Sequence, residues 1–171
     1  MKKAFWLGVV LAAIGAFPNV GCFFEKPIDG VPQVHPDAAI LGSWRCLPFD
    51  AGPESNPGTF IVAARPDDHY RITFLQGDDK PEEYDAHASI VKGRPILNVR
   101  VLDPKFPLKP WTFARYTLLR PHVAEVELVD ETKLEGLPPT SVALRQALEK
   151  EGNDDLWGPY CACVRVSAKS K

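Results

Sequence analysis

The sequence predicts a mainly β protein: an eight-stranded antiparallel up-and-down barrel with one short helix before its last strand. Three observations carry this. From Ala39 onward the chain divides into short β-rich runs broken by Pro, Gly and Asp. Consecutive runs pair as hairpins with matching faces together. One register also returns the last run to the first, setting Trp44 opposite Arg165 and Cys46 opposite Cys163. In a barrel of even strand number those two strands close antiparallel.

The eight runs cover residues 40–49, 59–64, 70–75, 82–91, 95–102, 111–119, 123–129 and 160–166. Between the second and third, the loop RPDDH sets Phe60 opposite Phe74, Val62 opposite Ile72 and Ala64 opposite Tyr70. His69 falls in that loop beside Asp67 and Asp68 and reads as part of a polar turn. The fourth and fifth runs meet at Lys92-Gly93, a two-residue turn whose Gly supplies a positive φ. Tyr84, Ala86 and Ala88 then face Val101, Val99 and Leu97, an apolar face. The opposite face pairs Asp85 with Arg100 and His87 with Asn98, and it reads as solvated.

The sixth and seventh runs turn around Arg120-Pro121. Pro121 is excluded from a tight type I′ turn, so a four-residue loop is expected. That loop places Phe113, Leu119, Ala124, Val126 and Leu128 on the inner face, with Arg115 and Thr117 among them. Glu125, Glu127 and Tyr116 take the solvated face. In PPTSVALRQALEKEG, Thr140 or Ser141 is the N-cap, Leu144, Ala147 and Leu148 form one stripe, and Gly152 follows the end. The stripe is narrow, which predicts a helix lying on the outside of a sheet.

The chain has 171 residues and a formal net charge of −2. Residues 1–21 join Lys2 and Lys3 to an apolar run and read as a secretory signal, too short to span a bilayer comfortably. The following Asn19-Val20-Gly21-Cys22 resembles the lipobox of bacterial lipoproteins, which implies acylation of Cys22. Asn19 stands where that pattern usually has Leu. Losing the signal removes two lysines and no acid, so the balance moves to −4, a poor fit to nucleic acid. The organisation expected is a signal peptide over 1–21, a Pro-rich polar tether over 22–38 and a barrel domain over 39–168. The expected location is the cell envelope, on a membrane at its outer-membrane or periplasmic side.

The chain has 4 Cys. If Cys22 is acylated, Cys46 pairs with Cys163 or with Cys161, leaving one thiol; otherwise two disulfides can form. The register above favours Cys46 with Cys163.

Gly42-Ser43-Trp44 at the start of the first strand, the run of antiparallel strands, the late helix and Arg165 together resemble the lipocalins and wider calycins. The resemblance spans roughly 40–166 and implies that Trp44 lies at the closed barrel end with Arg165 packed across it. It lacks the family's second loop signature, a Thr-Asp-Tyr-like triplet.

The resulting expectation is a barrel that binds a small apolar molecule or an anionic lipid, with Arg115 and Thr117 in the lumen, Arg115 meeting a carboxylate or phosphate, and the loop DPKFPLKP as rim or lid. The alternative is a filled, non-catalytic barrel that docks a partner, with Trp111, Trp157 and Tyr160 as contact candidates. No G-x-S-x-G, H-E-x-x-H or P-loop occurs, and His35, His69, His87 and His122 form no catalytic pattern. Neither catalytic residues, a metal site nor a cofactor is expected.

Overall fold

The structure is a computed structural model that describes residues 24–52, 55–102, 111–134, 136–150 and 153–166. Strands β1 (Gly42–Pro48), β2 (Gly58–Ala64), β3 (Tyr70–Leu75), β4 (Glu82–Val91), β5 (Arg94–Val101), β6 (Trp111–Arg120), β7 (Val123–Val129) and β8 (Trp157–Arg165) follow one another round a closed barrel. Every neighbouring pair is antiparallel. Helix α1 (Ser141–Glu149) lies between β7 and β8, and the Thr140 side chain caps it by accepting from the Ala143 amide.

Side chains alternate across each strand, so each β-run contributes one row to the lumen and one to the outside. The lumen row of β1 to β4 includes Trp44, Cys46, Val62, Tyr70, Ile72 and Ala86. Aromatics and alanines share the space: Tyr70 stands directly opposite Ala86. Trp44 pairs with Arg165 and Cys46 with Cys163, as the sequence register requires. Lys92 (φ 50) and Gly93 (φ 74) both take the left-handed conformation of a type I′ turn, which fixes the β4–β5 register to Tyr84 opposite Val101.

The β6–β7 register differs from expectation by one residue. Arg115 pairs with Glu127, Tyr116 with Val126 and Thr117 with Glu125. The strands turn tightly at Pro121-His122, with Arg120 opposite Val123, and a bulge at Leu119 absorbs the extra residue. A one-residue slip exchanges the two faces of a strand. Ala114, Tyr116 and Leu118 therefore join the lumen clusters, while Arg115 and Thr117 point outward and Thr117 is exposed.

Two further expectations are corrected. Within the segment assigned to a tether, Phe24, Ile28, Asp29 and Gln33 are bonded to the barrel: Phe24 bridges Trp111 through both backbone directions, at 2.8 and 2.9 Å. Ile28 is buried, and its amide donates to Asn98 Oδ1 at 2.7 Å. The outer face of β4 and β5 is covered rather than solvated, with Asp85 and His87 each 1% exposed and Asn98 0%. Helix α1 does lie on the outside. Leu144 and Leu148 pack with Val91, Ile96, Trp111, Phe113 and Ile28 in a second core outside the barrel wall.

Candidate functional site

The barrel has one sealed end. A 3-10 turn over Ala38–Ile40 lies there, with Ile40 and Leu41 packed into the lumen cluster. Asp37 organises this plug: its side chain accepts from the Ala39 amide at 2.8 Å and from the Tyr116 hydroxyl at 2.9 Å. Its own amide donates to the Tyr70 hydroxyl oxygen at 2.7 Å. Burial and the adjacent Asp37 carboxylate raise the Tyr116 pKa well above the ordinary phenol value, so this hydroxyl stays a donor. Trp44 Nε1 donates to the Ile40 carbonyl at 2.8 Å, and the Arg165 guanidinium lies 4.6 Å from the centre of the Trp44 ring while also donating to the Ala39 carbonyl. The pair Trp44 and Arg165 thus pins the plug to the β1–β8 seam.

The opposite end carries a cleft lined by Cys46, Pro48, Gly58, Phe60, Phe74, Gln76, Tyr160 and Cys161, with room for about one water molecule. Gly58 is part of the seal. A Cβ built there would stand 2.2 Å from one carbon of the Phe74 ring and 2.7 Å from another. Gly58→Ala is therefore expected to cost about 1–3 kcal/mol, measured by urea unfolding, because the buried ring has to shift. An unchanged midpoint would show that Phe74 moves freely.

Below the cleft, Cys46 and Cys163 form a disulfide with Cα atoms 4.0 Å apart, while Cys161 is free and buried. The three sulfurs lie within 4.8 Å of one another, and Cys161 Sγ is 3.5 Å from Cys163 Sγ. Burial pushes the Cys161 thiol up to about 12. It is held as a neutral thiol at physiological pH.

On the covered outer face, Asp85 gathers two arginines and a histidine. It accepts from Arg65 at 3.2 Å and from Arg100 at 2.9 Å, and it contacts His69 Nδ1 at 3.0 Å. Arg65 and Arg100 keep part of their guanidinium surface in solvent, with side-chain exposures of 43% and 33%. His87 sits beside this cluster. Its Nε2 donates to the Asp29 carbonyl at 2.7 Å, and its Nδ1 is buried with no hydrogen-bond partner. Burial lowers the His87 pKa below the ordinary value.

This sets the sign of a pH effect. The unfolded chain takes up a proton at His87 near pH 6.5 and the folded chain only at lower pH, so stability falls as pH drops below about 6.5. Thermal unfolding at about pH 7.5 and about pH 5 is expected to show a smaller acid loss in His87→Gln than in the parent. Equal losses would place the acid sensitivity elsewhere.

Among the residues expected to bind a ligand, Arg115 is committed to structure. Its guanidinium makes a two-point contact with Glu127 at 2.6 and 3.0 Å, reaches Asp154 at 3.0 Å and lies 4.9 Å from the centre of the Trp157 ring. Trp111 is buried, and Trp157 and Tyr160 are half-buried in the two cores. The loop DPKFPLKP and Cys22 lie outside the described residues. Sequence reasoning missed Asp37, Tyr70 and Tyr116 as the plug's polar frame. The signal available was the pair of tyrosines on strand positions otherwise apolar.

These features define a closed eight-stranded antiparallel barrel with a plug packed at one end. No protein-family model, curated protein or solved structure matches the chain.

Proposed function

We propose that the chain is an exported, Cys22-anchored envelope protein of calycin-like type, whose filled barrel is a non-catalytic mount for docking a partner. The observation that carries this reading is the packing inside the barrel: Trp44, Tyr70 and Ala86 are buried there, and Ile40 of the plug packs in the same cluster as Tyr70 and Ala86. The cation expected to recognise a lumen ligand, Arg115, belongs to the outer wall. The His69–Asp85 pair likewise serves a structural ion cluster, since two arginines hold the same carboxylate.

The docking face favoured is the outer side of β2, β1 and β8, away from α1 and the N-terminal segment. Ile61, Leu47, Val164 and Val166 are exposed there, from 38% to 52%. Arg45 lies between them, directly opposite Val164 and Thr59, and is exposed. Among the described residues it has no ion-pair partner. An apolar stripe around one free cation fits an apolar protein segment that carries a carboxylate. Phe24, bound to Trp111, is two residues from Cys22, so the anchored barrel is held close to the bilayer rather than on a long leash. No helix among the described residues is long and apolar enough to cross a membrane.

A photo-crosslinking residue at Val164 is expected to trap one protein partner in the envelope, lost on Arg45→Glu. The same residue at the exposed Val142 of α1 should trap none. Equal trapping at both sites, or a stoichiometric small-molecule adduct in the native mass spectrum, would overturn the reading in favour of non-specific contact or a lumen ligand.

A further inference from the structure

The cluster of Cys46, Cys161 and Cys163 holds one sulfur more than a structural disulfide requires. Two cysteines close the β1–β8 seam. The third is placed beside them on the same face of β8 and toward the same cleft.

We propose that reduction of the Cys46–Cys163 disulfide converts this cluster into a three-sulfur site for a trivalent, thiol-seeking metalloid of the arsenite class. The geometry suits three-coordination. Trivalent arsenic keeps a lone pair and binds three thiolates as a pyramid, so sulfurs about 2.3 Å from it stand about 3.5 Å apart; Cys161 Sγ already lies 3.5 Å from Cys163 Sγ, and all three sulfurs lie within 4.8 Å of one another. The donor set is entirely soft, which selects against hard cations.

The surroundings then discriminate among soft guests. The cluster packs with Trp44, Ala124, Phe60, Val62, Leu118, Val126 and Tyr160, none of them charged at neutral pH. A complex buried in such a shell is favoured when it is electrically neutral. Three thiolates around a monovalent ion leave two negative charges, and around a divalent ion they leave one. Around trivalent arsenic they leave none. The cleft lined by Cys46 and Cys161 provides the approach from the barrel end.

Both steps balance. A dithiol reductant transfers two electrons and two protons to the Cys46–Cys163 bond and leaves as its cyclic disulfide. Arsenous acid, As(OH)3, then exchanges its three As–O bonds for three As–S bonds, and the three thiol protons leave with the hydroxyls as three waters. Arsenic stays trivalent throughout.

The test uses the full chain carrying Cys22→Ser, in which the three cluster residues are the remaining cysteines. The protein is reduced with a phosphine, exposed to sodium arsenite and examined by native mass spectrometry and thermal unfolding. One arsenic in place of three hydrogens is expected, with a higher Tm, and only after reduction. Cys161→Ser is expected to weaken binding at least tenfold.

Arsenite bound equally by Cys161→Ser or by the unreduced chain would overturn the proposal, as would no adduct. If reduction alone unfolds the chain, arsenite has to restore the folded far-ultraviolet dichroism, and failure to do so overturns it. If Cys161→Ser does not fold, Cys161→Ala takes its place, its fold checked in the oxidised state before reduction. A tighter response to Zn²⁺ than to arsenite would overturn the charge argument.

Discussion

Replacing Cys46 and Cys163 together by alanine is expected to lower the stability of the domain by about 4–5 kcal/mol, the chain-entropy value for a loop of this size. The bond spans a sequence separation of 117, so without it the unfolded chain regains the freedom of most of the barrel. The measurement is denaturant unfolding of the oxidised parent against the double variant, with Cys161 retained in both. A gain of two hydrogens on reduction of the parent, and none in the variant, confirms that the difference is the disulfide. A loss below about 1 kcal/mol would mean that strand pairing alone holds the seam and that the unfolded ensemble is already compact.

Trp44→Ala is expected to cost about 3–5 kcal/mol, the range for emptying a buried aromatic site. The side chain is 4% exposed, packs with the sulfur cluster and donates to the Ile40 carbonyl, so its removal empties the lumen and loosens the plug together. Arg165 also loses the ring beneath it. Trp44→Phe separates these effects, because it keeps a ring and loses only the indole donor, worth about 1 kcal/mol. Trp44 and Cys46 occupy the same face of β1, so combining their substitutions is expected to give a non-additive loss. An equal cost for Phe and Ala would place the energy in the hydrogen bond rather than in packing.

Much of the barrel is legible in local chemistry. Lys92-Gly93 has one low-energy way to turn, and Tyr84 opposite Val101 follows from it. An even number of strands makes β1 and β8 antiparallel, and the register that sets Trp44 opposite Arg165 also sets Cys46 opposite Cys163 rather than Cys161. The Pro121 turn fails because excluding a type I′ turn does not exclude a tight turn: a bulge at Leu119 lets the strands close there and inverts Arg115 and Thr117. Asp85 and His87 fail for a different reason. Their pairing with Arg100 and Asn98 is local, but Asp85 is enclosed by Arg65, His69 and Arg100, and His87 and Asn98 are bonded to Asp29 and Ile28, residues from a segment whose composition reads as linker. Within that segment Ile28 is the anchor, and one isoleucine among prolines carries little weight as a pattern.

Closing β1 against β8 also sets the order in which the molecule can be completed. The first strand synthesised has its final neighbour in the last one, so one edge of β1 waits unpaired until nearly the whole chain is available. Such long-range closure makes for slow folding, and an open edge in the interval is a template for pairing with another chain. A product truncated before Trp157 would keep seven strands and still lack the one that turns a sheet into a barrel.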